Sequence, residues 1–555
     1  MTRKNTAVFI FFFYLLCYIM LLGARDLAIP DETRYGEIPR EMLRGGDWIS
    51  PRLNGARYFE KPILGYWLHA VSIGVLGENN FAVRFPSALA AGLTALTLYL
   101  FMRRTGTRPN DGAMAALIYL SSFGVFIIGH IAVLDSAFSF FTTLSCVFFF
   151  LGTEVEAENR PIGQKTLLWG AAGFFCACAF LTKGFLAAAI PAAAFVPYFL
   201  WTRQGRRLPR ACLLPLFVAV LVVFPWGLSI HMKEPDFWRF FFWNEHVKRF
   251  FAENAQHARS FWFFFVIGPL MALPWSFLAP SAFMGILSSH GGGRRERTIK
   301  FCVCWLVFPF LLFSASHGKL PTYILPCLPP FAVLMALGLM EPSASSLRGK
   351  VFQWGLYLNI ALFSVVALAL FYLQFFGKNR TLLYFHAYQL IMLLNCIVFF
   401  VLVSMNAGRL HDPETRIWRV ALAPLLLFVT VHFLVPDLTV EITMPGKFIK
   451  RHAAEITERT VIVADEDMAG AVCWYLKRND VYVVGGAGEL TYGLSCEGVK
   501  RHIGPEDAAR LIRSNPGNVV LIARAKLVEQ LEEWLPLGFA EHRSNPSENL
   551  VLRKY

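Results

Sequence analysis

Long apolar runs dominate this chain, and short polar stretches punctuate them. Runs of roughly 20 apolar residues are what a helix needs to cross the hydrocarbon core of a bilayer. By that criterion the sequence predicts about thirteen spans, at 7–24, 82–102, 113–131, 135–152, 166–182, 184–201, 212–231, 262–287, 301–316, 320–340, 352–374, 388–405 and 418–436. The breaks near 131–135, 182–184 and 316–320 are only a few residues long. Two regions depart from the pattern. Residues 25–81 carry many charges, and Tyr35, Ile38, Met42 and Leu43 recur there at helical spacing with charges between them. That arrangement predicts a helix lying in the membrane interface. After residue 436 the apolar positions become strand-like at 460–465, 481–484 and 519–522, with helical patterns at 470–477, 505–513 and 526–535. This predicts a soluble α/β domain over 437–555 after a membrane domain over 1–436.

Composition agrees: 56% of the 555 residues are hydrophobic and 16% charged, which fits a polytopic helical membrane protein and not a soluble globule. The first segment lacks a signal-peptidase site and is followed by further spans, so it reads as a transmembrane helix. A net charge of +14 could point to nucleic acid, but the cations sit in short loops between apolar runs. Arg103, Arg104 and Arg108, then Arg203 to Arg210, Arg294 to Lys300, Arg348 and Lys350, and Arg409 to Arg419 fall on one side, with the N-terminus. By the positive-inside rule that side is cytoplasmic. The 25–81 stretch, the 232–261 loop, the turn at His317 to Lys319 and the C-terminal domain then lie outside. The outer 25–81 stretch nevertheless holds Arg25, Arg34, Arg40, Arg44, Arg52, Arg57 and Lys61. Cations that break the topology rule need another partner. The 11 cysteines show no CxxC pair and no zinc spacing; Cys473 and Cys496 leave a disulfide open.

The candidate chemistry lies on the outer side. Asp31 follows Pro30 and could simply cap a helix. Asp135 interrupts an apolar stretch from 113 to 151, where a lone carboxylate costs several kcal/mol unless paired or at the interface. Glu60 and Lys61 sit between Tyr58-Phe59 and an apolar run, and an ordinary surface ion pair is the plainer alternative. Lys183 could mark a span end by snorkelling, and Lys319 with Tyr323 shares that ambiguity. Glu245 and Arg249 could be an ordinary helical pair, while His246 beside Glu245 leaves metal binding open. As a set, cations suited to phosphate and carboxylates suited to a sugar hydroxyl, an amine or a metal suggest a lipid-linked phosphosugar.

Several motifs resemble the bacterial lipid A 4-amino-4-deoxy-L-arabinose transferases, of the C-type glycosyltransferase superfamily. They are Pro-Asp-Glu-Thr-Arg-Tyr-Gly-Glu-Ile-Pro-Arg-Glu-Met-Leu at 30–43, Arg-Tyr-Phe-Glu-Lys-Pro-Ile at 57–63, Ala-Val-Leu-Asp at 132–135 and Thr-Lys-Gly-Phe-Leu-Ala at 182–187. Phe-Phe-Trp-Asn-Glu-His-Val-Lys-Arg-Phe at 241–250, His-Gly-Lys-Leu-Pro-Thr-Tyr-Ile-Leu at 317–325 and Glu-Leu-Thr-Tyr-Gly-Leu at 489–494 continue the series. The resemblance implies thirteen transmembrane helices and a periplasmic C-terminal domain in the bacterial inner membrane. It also implies inverting transfer of aminoarabinose from undecaprenyl phosphate to lipid A phosphates, a modification that blunts polymyxin and other cationic peptides. Asp31 and Asp135 match catalytic-site aspartates. Lys61 and Arg249 match cations near the carrier phosphate, and Lys183, Lys319 and Tyr323 match cavity positions, with Arg34 a further phosphate-binding candidate. Glu60, with His246 as second ligand, matches a metal position; zinc or a similar divalent ion is compatible with this chemistry but not required by it. A monomer is the expected state, with no nucleic-acid partner.

An ionised phosphate acceptor needs no general base. Asp31 and Asp135 are therefore expected to hold the cationic 4-amino group and the oxocarbenium-like sugar, with Lys61, Arg249 and Lys183 offsetting two phosphates. The alternatives are a polyprenyl-phosphate-sugar transferase with a hydroxyl acceptor, or a lipid-linked sugar flippase. The flippase predicts ionisable groups through the bilayer midplane.

Overall fold

The computed structural model describes residues 3–105, 108–158, 161–243, 258–288, 292–341, 346–376, 382–496, 500–544 and 548–555. The chain forms two compact units. One comprises Met1–Leu21, Ser87–Ala369 and Ile391–Val431; the other comprises Leu22–Pro86, Leu370–Leu390 and His432–Tyr555.

Among the described residues nine helices are long and apolar enough to cross a membrane. They are Asn80–Arg104, Asp135–Ala157, Ile162–Lys183, Gly205–Lys233, Arg294–Ala315, Pro321–Leu339, Ser346–Phe376, Ala387–Arg409 and Pro413–Leu434. Two expected spans are broken: Asp111–Leu120 meets Phe123–Gly129 at 62°, and Phe263–Met271 meets Ser276–Ser288 at 95°. At the first break the Ser121 and Ser122 hydroxyls bond back to the Leu117 and Ile118 carbonyls, competing with the helix ladder. At the second, Pro274 cannot continue the ladder. The expected segments at 7–24 and 184–201 fall on the shorter apolar helices Asn5–Ile19 and Leu186–Trp201. A further apolar helix, Leu64–Leu76, lies in the stretch whose sequence predicted only a polar loop with an interfacial helix.

In the first unit, buried polar groups find partners. The Tyr18 hydroxyl donates to the Leu120 carbonyl at 2.7 Å, and the Trp275 indole donates to Ser121 Oγ at 3.1 Å. Gly285 and Gly338 let two helices approach so closely that a Cβ on either would overlap the facing backbone. Leu213, Phe217, Val220, Leu221 and Phe224 leave one helix face apolar and exposed, as lipid contact requires.

The second unit is built around a six-stranded sheet of order β5-β4-β3-β6-β8-β7. Its strands are β3 (Val461–Ala464), β4 (Tyr482–Val484), β5 (His502–Ile503), β6 (Val519–Arg524), β7 (Ala540–Arg543) and β8 (Leu550–Lys554), and a small hairpin pairs β1 (Arg52–Leu53) with β2 (Ala56–Arg57). β3, β4, β5 and β6 run parallel, and β8 joins β6 and β7 antiparallel. Alternation sends Ile462, Ala464, Val520 and Ile522 into one core, and Val463, Val519 and Leu521 into the other. The helix expected at 470–477 starts earlier, at Glu466, because Asp465 caps it by accepting the Met468 N–H at 2.8 Å. β7, a polar edge strand with alternating exposure, had no apolar run to announce it. Cys473 is buried, Cys496 is exposed, and both are free thiols.

Arg40 and Arg44, two of the cations that broke the topology rule, and Arg84 beside them find carboxylate partners around the helix at Asp31–Gly45. Arg84 grips the Glu32 carboxylate at 2.7 and 2.8 Å and donates to the Leu22, Arg25 and Asp26 carbonyls. Arg40 grips Glu37 at 2.6 Å (Nε) through a second, parallel bond as well, and Arg44 pairs with Glu78 at 3.4 Å. Gly36 lets this helix lie against Trp474, whose ring would sit 3.2 Å from an added Cβ.

The Arg84 and Glu32 side chains are almost wholly buried. Arg84→Ala strands a buried carboxylate and is expected to cost about 3–5 kcal/mol of stability. Replacing both partners (Arg84→Met with Glu32→Gln) should recover part of that loss, read as the thermal midpoint of the detergent-purified protein.

Candidate functional site

Each unit carries one cluster of the expected site residues. In the first unit, Asp135 opens the Asp135–Ala157 helix and Lys183 closes the Ile162–Lys183 helix. Antiparallel packing brings these two ends together, and Lys183 Nζ meets Asp135 Oδ1 at 2.5 Å. The ammonium also lies 4.5 Å from the centre of the Tyr323 ring and 5.9 Å from that of Phe138. Both partners are about nine-tenths buried. Asp135 is thus neither a turn acid nor isolated: it is charge-paired in apolar surroundings, with an aromatic face completing the cation's shell. Lys319 is buried too, and its ammonium donates to the Arg259 carbonyl at 3.0 Å and to the Ser316 carbonyl.

In the second unit, Pro30 is the N-cap of the Asp31–Gly45 helix, and Glu32 accepts the Ala28 N–H at 2.9 Å. Asp31 does not cap, and its carboxylate meets Arg34 Nη2 at 3.2 Å. Arg34 Nη1 donates to the Tyr58 hydroxyl at 2.8 Å and to Glu489 Oε2, and the Tyr58 hydroxyl donates to the same oxygen at 2.5 Å. Burial works against the Arg34 cation, but Tyr58, Glu489, Tyr35 and Asp31 outweigh it and hold its pKa above the usual arginine value. Burial likewise pushes the Tyr58 phenol up, so it remains a proton donor. Asp31 keeps more than half of its side-chain surface exposed. It is the accessible end of a network whose other members are covered.

Lys61 donates to the Glu60 carbonyl at 2.9 Å and lies 4.0 Å from its carboxylate. Glu245, His246, Arg249 and His257 lie outside the described residues. Two members of the Arg34 network escaped sequence reasoning as site residues. Glu489 lies 455 positions from Arg34, and Tyr58 reads as one aromatic among many. The motif at 489–494 was the available signal.

Glu60 lies 4.0 Å from the Lys61 ammonium, and its expected partner His246 lies outside the described residues. The His/Glu group among the described residues able to hold a metal is His452, Glu455 and His542, with donor atoms within 4.8 Å of one another. Glu455 accepts from His452 Nδ1 at 2.8 Å and lies 3.6 Å from His542 Nε2, and the Lys554 ammonium bears on the same carboxylate. The two imidazole rings are tilted by 30° with centres 4.4 Å apart. A lysine charge already answers the carboxylate, and the rings pack against each other, so the group acts as an ionic clamp between the His452 turn and the edge of the sheet.

Comparison with known proteins identifies the family. A family model described as "Dolichyl-phosphate-mannose-protein mannosyltransferase" matches residues 4–241, and one described as "Arabinosyl transferase ArnT, C-terminal domain" matches residues 440–552. An "Undecaprenyl phosphate-alpha-4-amino-4-deoxy-L-arabinose arabinosyl transferase" from Shewanella sediminis is 36% identical over 533 residues, covering 95% of each chain. The chain belongs to this arabinosyl transferase family. A Pseudomonas aeruginosa (strain LESB58) member is 39% identical over 503 residues, covering 89% of this chain and 88% of its own. The arabinosyl transferase fold is shared with ArnT from Cupriavidus metallidurans in its crystal structure bound to undecaprenyl phosphate, at a TM-score of 0.84 and 23% identity, covering 99% of this chain and 98% of that one. An Archaeoglobus fulgidus oligosaccharyltransferase aligns at a TM-score of 0.53 and 13% identity, covering 96% and 71%. The protein is thus a multi-pass membrane enzyme, a lipid-linked pentosyltransferase of the arabinosyl transferase family.

Two outcomes follow. Lys183→Met leaves Asp135 as a buried, unanswered carboxylate, and should lower transfer at least about 100-fold, measured as product per enzyme at saturating donor. In the C-terminal clamp, hydrogen bonds from Lys554 and His452 hold the Glu455 carboxyl at about 2, below its usual 4.5. A depressed carboxyl stabilises the fold above pH 4.5 and loses that contribution as pH falls toward about 2. The thermal-midpoint gap between wild type and Lys554→Met should therefore narrow over that interval.

Proposed function

We propose that this chain transfers 4-amino-4-deoxy-L-arabinose from undecaprenyl phosphate to phosphate groups of lipid A. The reaction takes place at the periplasmic face of the bacterial inner membrane and lowers sensitivity to polymyxin and other cationic peptides. The observation that carries the reading is the charge pairing of both aspartates, Asp31 with Arg34 and Asp135 with Lys183. An aminoarabinose phosphate carries an ammonium and a phosphate, and each pair offers one group of each sign.

The same pairing argues for a phosphate acceptor. Asp135 is already engaged by the Lys183 ammonium at 2.5 Å, whereas a hydroxyl acceptor would need a base to take its proton. A phosphate acceptor is already ionised and asks for no such step. Lipid A phosphate attacks the anomeric carbon as the bond to the carrier phosphate breaks, and the carrier leaves as undecaprenyl phosphate. Asp31 and Asp135 answer the sugar's ammonium and the positive charge that develops on its ring. Lys61, Lys183 and Arg249 offset the repulsion between the two phosphates, with Arg34 a further phosphate partner and Lys319 and Tyr323 shaping the cavity wall. No step depends on a metal at Glu60. The membrane domain over 1–436 performs this chemistry as a monomer, and the domain over 437–555 sits on the periplasmic side, opposite the basic loops.

The test is the mass of lipid A from a strain lacking its own transferase, with and without this protein. Pentosamine on lipid A phosphate is expected with the wild type, and about 100-fold less with Asp31→Asn. Unmodified lipid A with sugar on a protein or glycan hydroxyl would reject the phosphate acceptor.

A further inference from the structure

The far end of the Asp135–Ala157 helix meets the basic loops of the first unit. Glu154 stands about 28 Å along that helix from Asp135, and Arg297 grips it at 2.7 and 2.8 Å. At the same end of the unit Glu341 pairs with Arg108 at 2.9 Å and with Arg295 at 2.5 Å. Beside Glu341 lies a cavity of about 600 Å³. It sits between the end of the Leu328–Leu339 helix and the starts of the Ser346–Phe376 and Pro413–Leu422 helices.

Two arginines line this cavity. Arg348 is buried and donates to the Ser281, Gly338 and Glu341 carbonyls at 3.1, 2.6 and 2.8 Å. Arg416 ties its Nε to the Leu410 carbonyl at 2.5 Å, and its guanidinium lies 5.0 Å from the centre of the Phe352 ring. Its Nη1 and Nη2 remain, and the described residues supply no acceptor for either. The carboxylates in the lining are engaged elsewhere. Glu341 answers Arg108 and Arg295. Asp412 caps its helix, accepting from the Thr415 N–H and hydroxyl at 2.8 and 2.6 Å. Glu414 accepts from Asn110 at 2.8 Å, and its other oxygen is covered. A guanidinium held at its base, with two donors unspent beside a second buried cation, suits a phosphate, which takes two parallel N–H bonds. Leu347, Trp354 and Leu358 lie exposed along one face of the helix whose first turn borders the cavity, an apolar surface fit for an acyl chain.

We propose that this cavity binds a phosphate group, carried by an anionic phospholipid of the adjoining leaflet or by a soluble phosphate ester, with Arg416 as its main ligand. The site is separate from the Asp135 and Lys183 pair and does not depend on the reading of that pair. A bound phosphate joins helix starts from two distant parts of the sequence, so occupancy stabilises the fold.

The experiment uses the full chain, stripped of lipid in detergent, and reads the thermal midpoint and the lipid adducts retained in native mass spectra. The probes are phosphatidylglycerol in mixed micelles, diacylglycerol with the same chains, and inorganic phosphate. Phosphatidylglycerol is expected to raise the wild-type midpoint and to bind at least about 10-fold more weakly to Arg416→Gln, while diacylglycerol shifts neither. Arg416→Lys should fall between, because an ammonium keeps the charge and loses the planar fork. Ser346→Glu sets a negative charge at an exposed position of the lining, leaves Arg416 on Phe352, and should weaken binding too. Arg419→Gln, exposed on the same helix as Arg416 but outside the lining, should stay within about twofold of wild type. A midpoint shift by inorganic phosphate that Arg416→Gln abolishes would assign the site to a soluble ester; a shift by the lipid alone would assign it to the phospholipid. Equal binding by wild type, Arg416→Gln and Ser346→Glu, an equal loss in Arg419→Gln, or no shift with either phosphate probe would overturn the inference.

Discussion

An ionised side chain cannot be left unanswered in apolar surroundings, and much of this protein is arranged to meet that constraint. Burying a lone charge costs several kcal/mol, whereas a bidentate, fully hydrogen-bonded pair recovers most of it. Arg84 and Glu32 are the strictest case, with the guanidinium also bonded to three backbone carbonyls. This pair fixes the start of the 31–45 helix, and so the direction in which Asp31 projects. Glu37 with Arg40 repeats the device two turns on. The helix that presents the accessible carboxylate is thus anchored by charges that never reach solvent.

Asp135 and Lys183 apply the same constraint to a different end. Each stands at a helix terminus, and each terminus is placed by the long antiparallel contact between two helices. Moving either helix by one turn would separate the pair and expose both charges to apolar neighbours. Charge pairing and helix packing are therefore coupled at that point, because neither group can relax independently of the helix that carries it.

The membrane architecture was legible because hydrophobic length is a local property. All thirteen expected segments correspond to apolar helices, although two are bent and two are short. Asp31, Asp135 and Lys183 were legible because a charge beside an apolar run is conspicuous. Tyr58 and Glu489 were not, since nothing near Glu489 shows that its partner lies 455 residues away. Arg84 was missed for a related reason: it sits near the start of an expected span, where a cation reads as a boundary marker. The polar edge strand β7 was hidden because its pattern lacks the apolar half that marks a strand. What the sequence concealed in each case was a pairing, not a residue type.

The second compact unit joins residues 22–86 to residues 432–555, with almost the whole membrane region between them in sequence. Ribosomes make the early part first. Until residue 489 has been translated, Arg34 waits without Glu489. The charge network around Arg34 is therefore complete only once nearly the whole chain has been made.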